Sequence, residues 1–373
     1  MYNLYDLQQY WWLLVSVIGA FFVFMMFVQG GQTLLNTIAK NEDEKDLIIN
    51  SLGRKWEIGF SSLVMFGGAL FAAFPLFYAV SFGGAYYVWM AILFCFIIQA
   101  VSYEYRKKPN NFFGQIFYEK LLFINGSLGI FLIGVALGTL FTGGNFEVND
   151  MNLSHWTNPY YGLEALLNPF NVVFGLVLVF LSRIQALLYF YNSLDNEVIH
   201  KRIISILKRE FSIFLSFFLL FVVSLLLLNG YSFDPNTNKI YIQSYKFLNN
   251  FLQTPILLIT ILLGVVLFLY AIYNTLAKKQ SNSIWFLGIG TIMIVTSIMM
   301  SLGVNYTVIY PSISNIQSSL TIVNSSGSLY TLEVMSVVSL LVPVVLGYII
   351  VVWRSMDKTK LSIDEVKSDH HHY

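Results

Sequence analysis

The sequence predicts an all-α polytopic membrane protein, and three observations carry this prediction. Hydrophobic residues make up 57% of the 373 residues and charged residues only 11%, which leaves too little polar surface to cover a water-soluble fold. Nine apolar stretches approach the about 20 residues that a helix needs to cross the hydrocarbon layer of a bilayer. Lys and Arg residues concentrate in alternate connections between these stretches.

The nine predicted transmembrane spans follow one another along the whole chain. They start at Trp11, Glu57, Ala85, Tyr118, Phe170, Phe211, Thr254, Ile284 and Thr331. The first lacks a small-residue cleavage site and is closely followed by a second span, so we expect a permanent span rather than a signal peptide. No Pro-, Gly- or Ser-rich linker divides the sequence. We therefore expect a single transmembrane domain over residues 1–356 and a polar cytoplasmic tail over residues 357–373.

The positions of the cations predict how the chain is oriented. The connections after spans one, three, five and seven, together with the tail, hold 17 of the 21 Lys and Arg residues. By the positive-inside rule these segments face the cytoplasm. The amino terminus is therefore predicted to face outward and the carboxyl terminus to lie in the cytoplasm, as an odd number of spans requires.

The composition argues against several classes of site. A net charge of +1 without a basic, aromatic-rich patch excludes a nucleic-acid partner. Cys95 is the single cysteine, so there is no disulfide framework and no thiolate metal cluster. The spans contain no His, because His155 and His200 lie in connections and residues 370–372 lie in the tail. We therefore predict no haem or metal ligands in this chain, and the His triplet is typical of a disordered polar end.

Polar side chains gather at the predicted cytoplasmic ends of the first three spans. They are Gln29, Gln32, Trp56, Glu57, Ser61, Gln99 and Glu104. An ionisable group at membrane depth costs about 2.5–3.5 kcal/mol on insertion scales, so such groups are candidates for function. Carboxylates and amides joined by water can pass protons where apolar walls cannot. We therefore predict a proton pathway from the cytoplasm through these residues.

Anchoring at the membrane surface is the competing interpretation. Glu119 followed directly by Lys120 is typical of side chains that snorkel to the headgroups, and we favour that interpretation for this pair. For Glu57 the two interpretations have equal weight. Arg183 either snorkels or pairs with a carboxylate, and the sequence leaves both open.

Short pieces along the chain resemble a known family. They are YWWLL at 10–14, INSLGRKWE at 49–57, GGALFAAFP at 67–75, EYRKK at 104–108, LLNPF at 166–170, QTPILL at 253–258, and YPS at 310–312 followed by SLT, SSG and TLEVM. In their order, their spacing and the nine-span count, the chain resembles subunit II of the cytochrome bd type quinol oxidases over essentially its whole length.

The resemblance implies a haem-free subunit of a terminal oxidase that oxidises quinol and reduces O2 to water in the bacterial cytoplasmic (inner) membrane. It implies a partner, subunit I, that holds haems b and d and the quinol-oxidising loop. This chain would have no catalytic centre of its own, would support the partner and would help cytoplasmic proton uptake. Small accessory membrane subunits and a structural quinone or lipid are compatible with the resemblance, but no residue identifies a cofactor site.

The match to the family is uneven at the predicted proton pathway. A Trp-Asp pair that begins helix two in the family corresponds to Trp56 and Glu57, which supports Glu57 as the proton entry group. Two family Asp residues near the end of helix one correspond to Gln29 and Gln32, and an Arg in helix three corresponds to Gln99. Our hypothesis is that neutral amides replace a buried ion pair in a divergent branch, such as the cyanide-insensitive type, with a rerouted or reduced proton route.

Two other classes of protein fit the composition. Secondary transporters and channels also have intramembrane carboxylates and glycine-interrupted helices, and a purely structural membrane scaffold is a third class. A visible spectrum of the gently purified chain discriminates among them, since haem bands arriving with a second polypeptide indicate the oxidase and a colourless homo-oligomer indicates transport.

Overall fold

The computed structural model describes residues 3–368 and is dominated by long apolar helices. Within that range nine helical segments are long and apolar enough to cross a membrane, which confirms the predicted number. These spans are Leu4–Ile38, Glu42–Ala73, Tyr86–Tyr105, Gln115–Thr142, Pro169–Ser193, Glu197–Leu227, Pro255–Leu276, Ser283–Met300 and Leu329–Met356. The His triplet at 370–372, which we predicted to belong to a disordered polar end, lies outside the described residues.

Breaks within and between the spans divide the described chain into sixteen α-helices. They are α1 (Leu4–Met25), α2 (Phe27–Ile38), α3 (Glu42–Gly53), α4 (Trp56–Ala73), α5 (Pro75–Tyr78), α6 (Tyr86–Tyr105), α7 (Gln115–Ile124), α8 (Ile130–Thr142), α9 (Pro169–Ser193), α10 (Glu197–Leu227), α11 (Lys246–Gln253), α12 (Pro255–Leu276), α13 (Ser283–Met300), α14 (Leu329–Val338), α15 (Leu341–Met356) and α16 (Ile363–Ser368). Two antiparallel hairpins pair β1 (Phe146–Val148) with β2 (Ser154–Trp156) and β3 (Gly230–Phe233) with β4 (Ile240–Gln243).

The two ends of the helix bundle differ in charge. One end holds the connections after the first, third, fifth and seventh spans and the segment 357–368, and therefore most of the Lys and Arg residues. We call it the basic end. The opposite end holds both hairpins and the long connections at residues 143–168, 228–254 and 301–328.

The first span lies at the centre of the bundle. Within the apolar 18-residue stretch of this span 78% is buried, whereas only 6% of the corresponding stretch of the ninth span is buried. Two glycines allow the half of this span nearer the basic end to approach its neighbours closely. A Cβ on Gly30 would lie 2.1 Å from the carbonyl oxygen of Ser182 in α9, and a Cβ on Gly126 would lie 2.2 Å from the carbonyl oxygen of Gln29. Any other residue would force the helices apart, so both positions require glycine.

The ninth span is broken, and the chain beyond it turns back onto the bundle. Pro343 has no N–H to donate to Ser339, whose carbonyl accepts instead from the N–H of Val342 at 3.0 Å. Beyond α15, Leu361 forms a parallel bridge with Leu194, and α16 packs against α3. The described part of the predicted tail is thus folded against the basic end.

Candidate functional site

Four buried amide side chains meet near the basic end and form what we call the amide cluster: Gln29 and Gln32 from α2, Gln99 from α6, and Asn125. Each is at most 2% exposed. Gln99 Oε1 accepts hydrogen bonds from Gln29 Nε2 at 2.9 Å, Gln32 Nε2 at 2.7 Å and Asn125 Nδ2 at 2.6 Å. The structure therefore brings together the three glutamines that the sequence predicted for the site.

Asn125 is a member of the cluster that our sequence analysis did not predict. It begins a π-helical turn, Asn125–Gly129, that interrupts the fourth span between α7 and α8. The wider turn redirects a side chain that a regular helix would place elsewhere, and such turns often lie at functional sites. The Asn-Gly-Ser text at 125–127, inside an otherwise apolar stretch, is the signal that could have indicated it.

The cluster contains buried polar atoms that lack partners among the described residues: Gln99 Nε2, Asn125 Oδ1 and the neighbouring Trp56 Nε1. The Trp56 indole stacks on the Tyr103 ring with centroids 5.9 Å apart, and Tyr103 Oη accepts from Gln32 Nε2 at 3.2 Å. Native proteins rarely bury unpaired polar atoms without a water or ligand. These atoms are therefore suited to hold water molecules.

Glu57 faces away from the amide cluster. Gly59, two residues later on α4, faces Gln29, because a Cβ on it would lie 3.8 Å from Gln29 Nε2. Two residues correspond to about 200° around a helix, so Glu57 points to the other side. Ser61, one turn further along, is exposed like Glu57. Both therefore lie on an exposed stripe of the second span.

The Glu57 carboxylate lines a cavity of about 370 Å³ between α4 and α15. Arg54 and Tyr348 supply its other polar side chains, and Ile58 and Val352 contribute to its apolar wall. We call this space the Glu57 cavity. No ion pair or hydrogen bond to the Glu57 carboxylate occurs within residues 3–368.

Glu104 lies at the surface, apart from the other predicted site residues. Its side chain is 59% exposed and accepts from Lys108 Nζ at 2.7 Å, one turn along the chain. This hydrogen bond raises the pKa of Lys108. Of the seven predicted residues, the structure thus groups Gln29, Gln32 and Gln99 with Trp56 beside them, whereas Glu57, Ser61 and Glu104 lie elsewhere.

Glu119 is buried in an ion network, so our snorkelling interpretation was wrong for this residue. Its carboxylate accepts from Arg106 Nη2 at 2.8 Å and from Lys45 Nζ at 3.1 Å. Asp46 binds the same Arg106 guanidinium at 2.7 Å. Lys120, in contrast, is exposed. Adjacent residues on a helix point about 100° apart, which explains why the two side chains have different environments.

The structure also decides between the alternatives for Arg183. Its Nε and Nη2 atoms donate to the two carboxylate oxygens of Glu210 at 2.8 and 3.0 Å. Arg209 Nη2 donates to Glu210 as well, at 2.9 Å. Arg183 therefore pairs with a neighbouring span rather than snorkelling.

Among residues 3–368 the two histidines lie apart from the amide cluster, and the sixth-span helix Glu197–Leu227 contains His200, which the sequence analysis assigned to a connection. Haem iron takes His, Cys, Met or Tyr side chains as axial ligands. His155 is exposed in β2 at the opposite end, and the His200 ring lies 3.0 Å from the Leu194 carbonyl and packs on Tyr191. Within residues 3–368 no group of three His, Cys, Asp or Glu side chains is placed to hold a metal ion.

Comparisons with known proteins agree on one family. The family model described as cytochrome bd terminal oxidase subunit II matches residues 7–356. Cytochrome bd-I ubiquinol oxidase subunit 2 of Escherichia coli (strain K12) is 29% identical over 351 residues, 91% of each chain. Cytochrome bd ubiquinol oxidase subunit 2 of Bacillus subtilis (strain 168) is 26% identical over 358 residues, 93% of this chain and 94% of the relative. A chain in the structure of bd oxidase from Geobacillus thermodenitrificans superimposes with a TM-score of 0.66 at 12% identity, covering 95% of this chain and all of that one, and so shares the fold.

Proposed function

Because the chain belongs to the cytochrome bd terminal oxidase subunit II family, we propose that it supports a partner, subunit I, that carries haems b and d and oxidises quinol. As a family member it is a subunit of a quinol oxidase, an oxidoreductase of the bacterial inner membrane, and it crosses that membrane several times. Membership of this family decides against the transporter, channel and scaffold alternatives.

The second part of the proposal is that Glu57 admits protons from the cytoplasm for the reduction of O2. One observation carries it: Glu57 lines a cavity at the basic end and has no ion-pair partner within residues 3–368. By contrast, the buried Glu44, Glu119 and Glu210 side chains at this end are held in ion pairs. Glu57 is therefore the carboxylate that we propose as the entry group.

The Glu57 cavity supports this role through its size and its lining. A space of about 370 Å³ is many times the about 30 Å³ that one water molecule occupies in the liquid. Arg54, Glu57 and Tyr348 supply the polar partners that ordered water needs. Water there would connect the Glu57 carboxylate to the cytoplasm, which we propose is the compartment at the basic end because of its cations.

The amide cluster has a different part in the proposal. Amides do not titrate near neutral pH, so Gln29, Gln32 and Gln99 cannot carry a proton themselves. The Gln99 Nε2 and Trp56 Nε1 donors, which lack partners in the described part of the chain, can orient water. We propose that the cluster is a hydrated, neutral replacement for a buried ion pair, and that the proton route leads from Glu57 along the exposed stripe of α4 through Ser61. The role of Glu104 as a proton-collecting group at the surface stays a prediction.

The test compares three variants in the complete oxidase reconstituted into proteoliposomes. Glu57→Gln should lower both quinol-driven O2 consumption and proton uptake from the basic-end side by about ten-fold or more, since it removes the titratable group. Glu57→Asp, which keeps a carboxylate, should restore most of the activity. Glu197→Gln is the control, because Glu197 is an exposed carboxylate at the start of α10. Unchanged turnover and charge separation in Glu57→Gln would show that the entry role is wrong.

The partner assignment has its own test. Gentle purification of this chain should bring a second membrane polypeptide and haem absorption bands, and dissociation of the two should leave all the haem on the second polypeptide. Haem retained on this chain would contradict the proposal. Small accessory subunits and a structural quinone stay predictions.

A further inference from the structure

Arg54 lines the Glu57 cavity and pairs with a carboxylate outside the lining of that cavity. Its Nη2 atom donates to Glu365 Oε1 on α16 at 3.3 Å, and its Nη1 atom donates to the Met356 carbonyl at 3.5 Å. Glu57 lines the same cavity three positions further along the chain. Within residues 3–368 Arg54 pairs with Glu365 and forms no ion pair with Glu57.

The segment that carries Glu365 is fixed to the bundle by other contacts. The Leu361 N–H donates to the Ser193 carbonyl at 2.9 Å, and the Asp195 N–H donates to the Leu361 carbonyl at 2.8 Å. In addition, α16 packs against α3, the helix that ends immediately before Arg54. These contacts hold Glu365 beside Arg54 without depending on the ion pair itself.

The other charged groups near the cavity are occupied or line a different space. Lys55 is buried and pairs with Asp357 at 3.0 Å. Arg354 lines a groove between α1, α13 and α15 rather than this cavity. The remaining titratable side chain of the lining is that of Tyr348. Among residues 3–368, Arg54 is therefore the cation best placed to pair with Glu57.

The Arg54–Glu365 pair is partly exposed, with the two side chains 28% and 39% accessible. Water screens such a pair, so its guanidinium exchanges readily between carboxylates. An arginine that moved to Glu57 would stabilise the ionised form of that carboxylate. A carboxylate held in its ionised form takes up protons less readily, so the choice that Arg54 makes between the two glutamates matters for proton exchange at Glu57.

We propose that Glu365 is a positioning residue: it holds the Arg54 guanidinium away from Glu57 and so keeps the Glu57 carboxylate able to exchange protons with the cavity. This role rests on the proton-entry function proposed for Glu57. It gives the segment after the ninth span a part in proton uptake, although that segment does not itself line the cavity beyond Met356.

The experiment follows the protonation of Glu57 in the complete oxidase by infrared spectroscopy during a pH titration. The Glu57 signal is the part of the carboxyl C=O stretch that disappears in Glu57→Gln. Glu365→Gln should move the midpoint of this signal down by about one pH unit, because Arg54 then pairs with Glu57. Glu365→Asp keeps a carboxylate and should retain most of the wild-type midpoint. Asp364→Asn is the matched control, because Asp364 is exposed on the same helix, and it should not move the midpoint.

A double variant separates positioning from a merely structural role. Arg54→Gln added to Glu365→Gln should return the Glu57 midpoint toward that of the wild type, since no guanidinium remains to pair with Glu57. Loosening of α16 would not be reversed by this second substitution. Proton uptake into proteoliposomes should follow the same order. It should fall by about ten-fold in Glu365→Gln at a pH above the midpoint, the effect of a shift of one unit, and recover in the double variant.

An unmoved Glu57 midpoint in Glu365→Gln, or a shift that persists in the double variant, would overturn the positioning role. Unchanged turnover in Glu57→Gln would instead contradict the entry function, and the infrared midpoint would still report which carboxylate binds Arg54. The two failures are therefore distinguishable.

Discussion

Arg106 and Glu119 form an ion pair that is almost completely buried. The Nη2 and Nε atoms of Arg106 lie 2.8 and 3.1 Å from the same oxygen, Glu119 Oε1, and the two side chains are 0% and 3% exposed. Lys45 Nζ reaches the other carboxylate oxygen at 3.1 Å. The pair therefore joins the third span, the fourth span and α3 around one carboxylate.

Glu119→Gln should destabilise the protein by about 1.5–3 kcal/mol, because the buried Arg106 guanidinium loses its most buried counter-charge and keeps only the pairing with Asp46 and Glu42. Thermal unfolding of the purified oxidase measures this as a lower Tm. Lys120→Gln, at the exposed neighbouring position, should change the stability by no more than about 0.5 kcal/mol. Equal Tm values for the two variants would contradict the importance of the pair.

Gln99→Leu should destabilise the amide cluster more than a surface substitution does. Gln29 Nε2 loses the hydrogen bond that it donates within residues 3–368, whereas Gln32 Nε2 keeps Tyr103 Oη and Asn125 Nδ2 keeps Gln32 Oε1 as acceptors. A buried donor left unpaired costs about 1–3 kcal/mol. Hydrogen exchange in α2 and in residues 125–129 should speed up locally. Gln115→Leu serves as the control, because Gln115 is exposed at the start of α7. If the backbone amides of α2 and residues 125–129 exchange at the same rate in Gln99→Leu as in the wild type, the cluster contributes little to packing.

Lys246 should make stability depend on alkaline pH. Its side chain is buried near the opposite end and donates to the Asn305 carbonyl at 2.8 Å, and burial lowers its pKa from 10.5 to about 8. Below pH 8 the lysine is charged in both states and the burial penalty is fully present. Between about 8 and 10.5 the folded protein loses this proton first, so stability should rise with pH relative to Lys246→Met.

Thermal unfolding of wild type and Lys246→Met across that pH range measures the effect. Lys239→Met is the matched control, because Lys239 is exposed in the β3–β4 hairpin loop. A difference between wild type and Lys246→Met that stays constant with pH would rule the effect out.

Asp357→Asn should loosen the end of the ninth span. Lys55 is fully buried and Asp357 is its carboxylate partner, so the substitution leaves a buried ammonium without a counter-charge. We expect faster limited proteolysis within residues 357–368 and a lower Tm. Asp364→Asn, an exposed change in the same segment, should have neither effect. If the two variants are cleaved at the same rate, the ion pair does not hold the segment.

Much of the fold could be predicted because apolar length is a local property of the sequence. All nine spans occur within the described residues. Seven predicted starts lie within ten residues of the observed start, and the other two, Glu57 and Phe211, lie inside the longer helical segments of the second and sixth spans. The span prediction leaves out α3, which lies between the predicted first and second spans and is capped by Asn41 Oδ1, the acceptor of the Glu44 N–H at 2.8 Å. The α3 segment is too charged to qualify as an apolar stretch, although Asn before a run of acidic residues is a helix-start signal.

The site could be predicted only in part because its geometry depends on contacts distant in sequence. Gln29 and Gln99 meet across 70 positions, which the resemblance to a family indicated and the residues alone did not. Glu119 and Asp46 are brought together by Arg106, and no local pattern reveals that convergence. From the sequence, Glu57 is grouped with the glutamines, but Gly59 is the residue of α4 that faces Gln29, so Glu57 points to the other side of the helix.

The pairing of Lys55 with Asp357 also bears on the order in which the protein is made. The two residues are 302 positions apart, so a nascent chain emerging from the ribosome inserts the lysine long before its counter-ion exists. Biogenesis of the first two spans must therefore proceed with an uncompensated cation near the membrane surface. A shortened chain that ends before Asp357 would therefore lack the counter-charge that the buried Lys55 has in the folded protein.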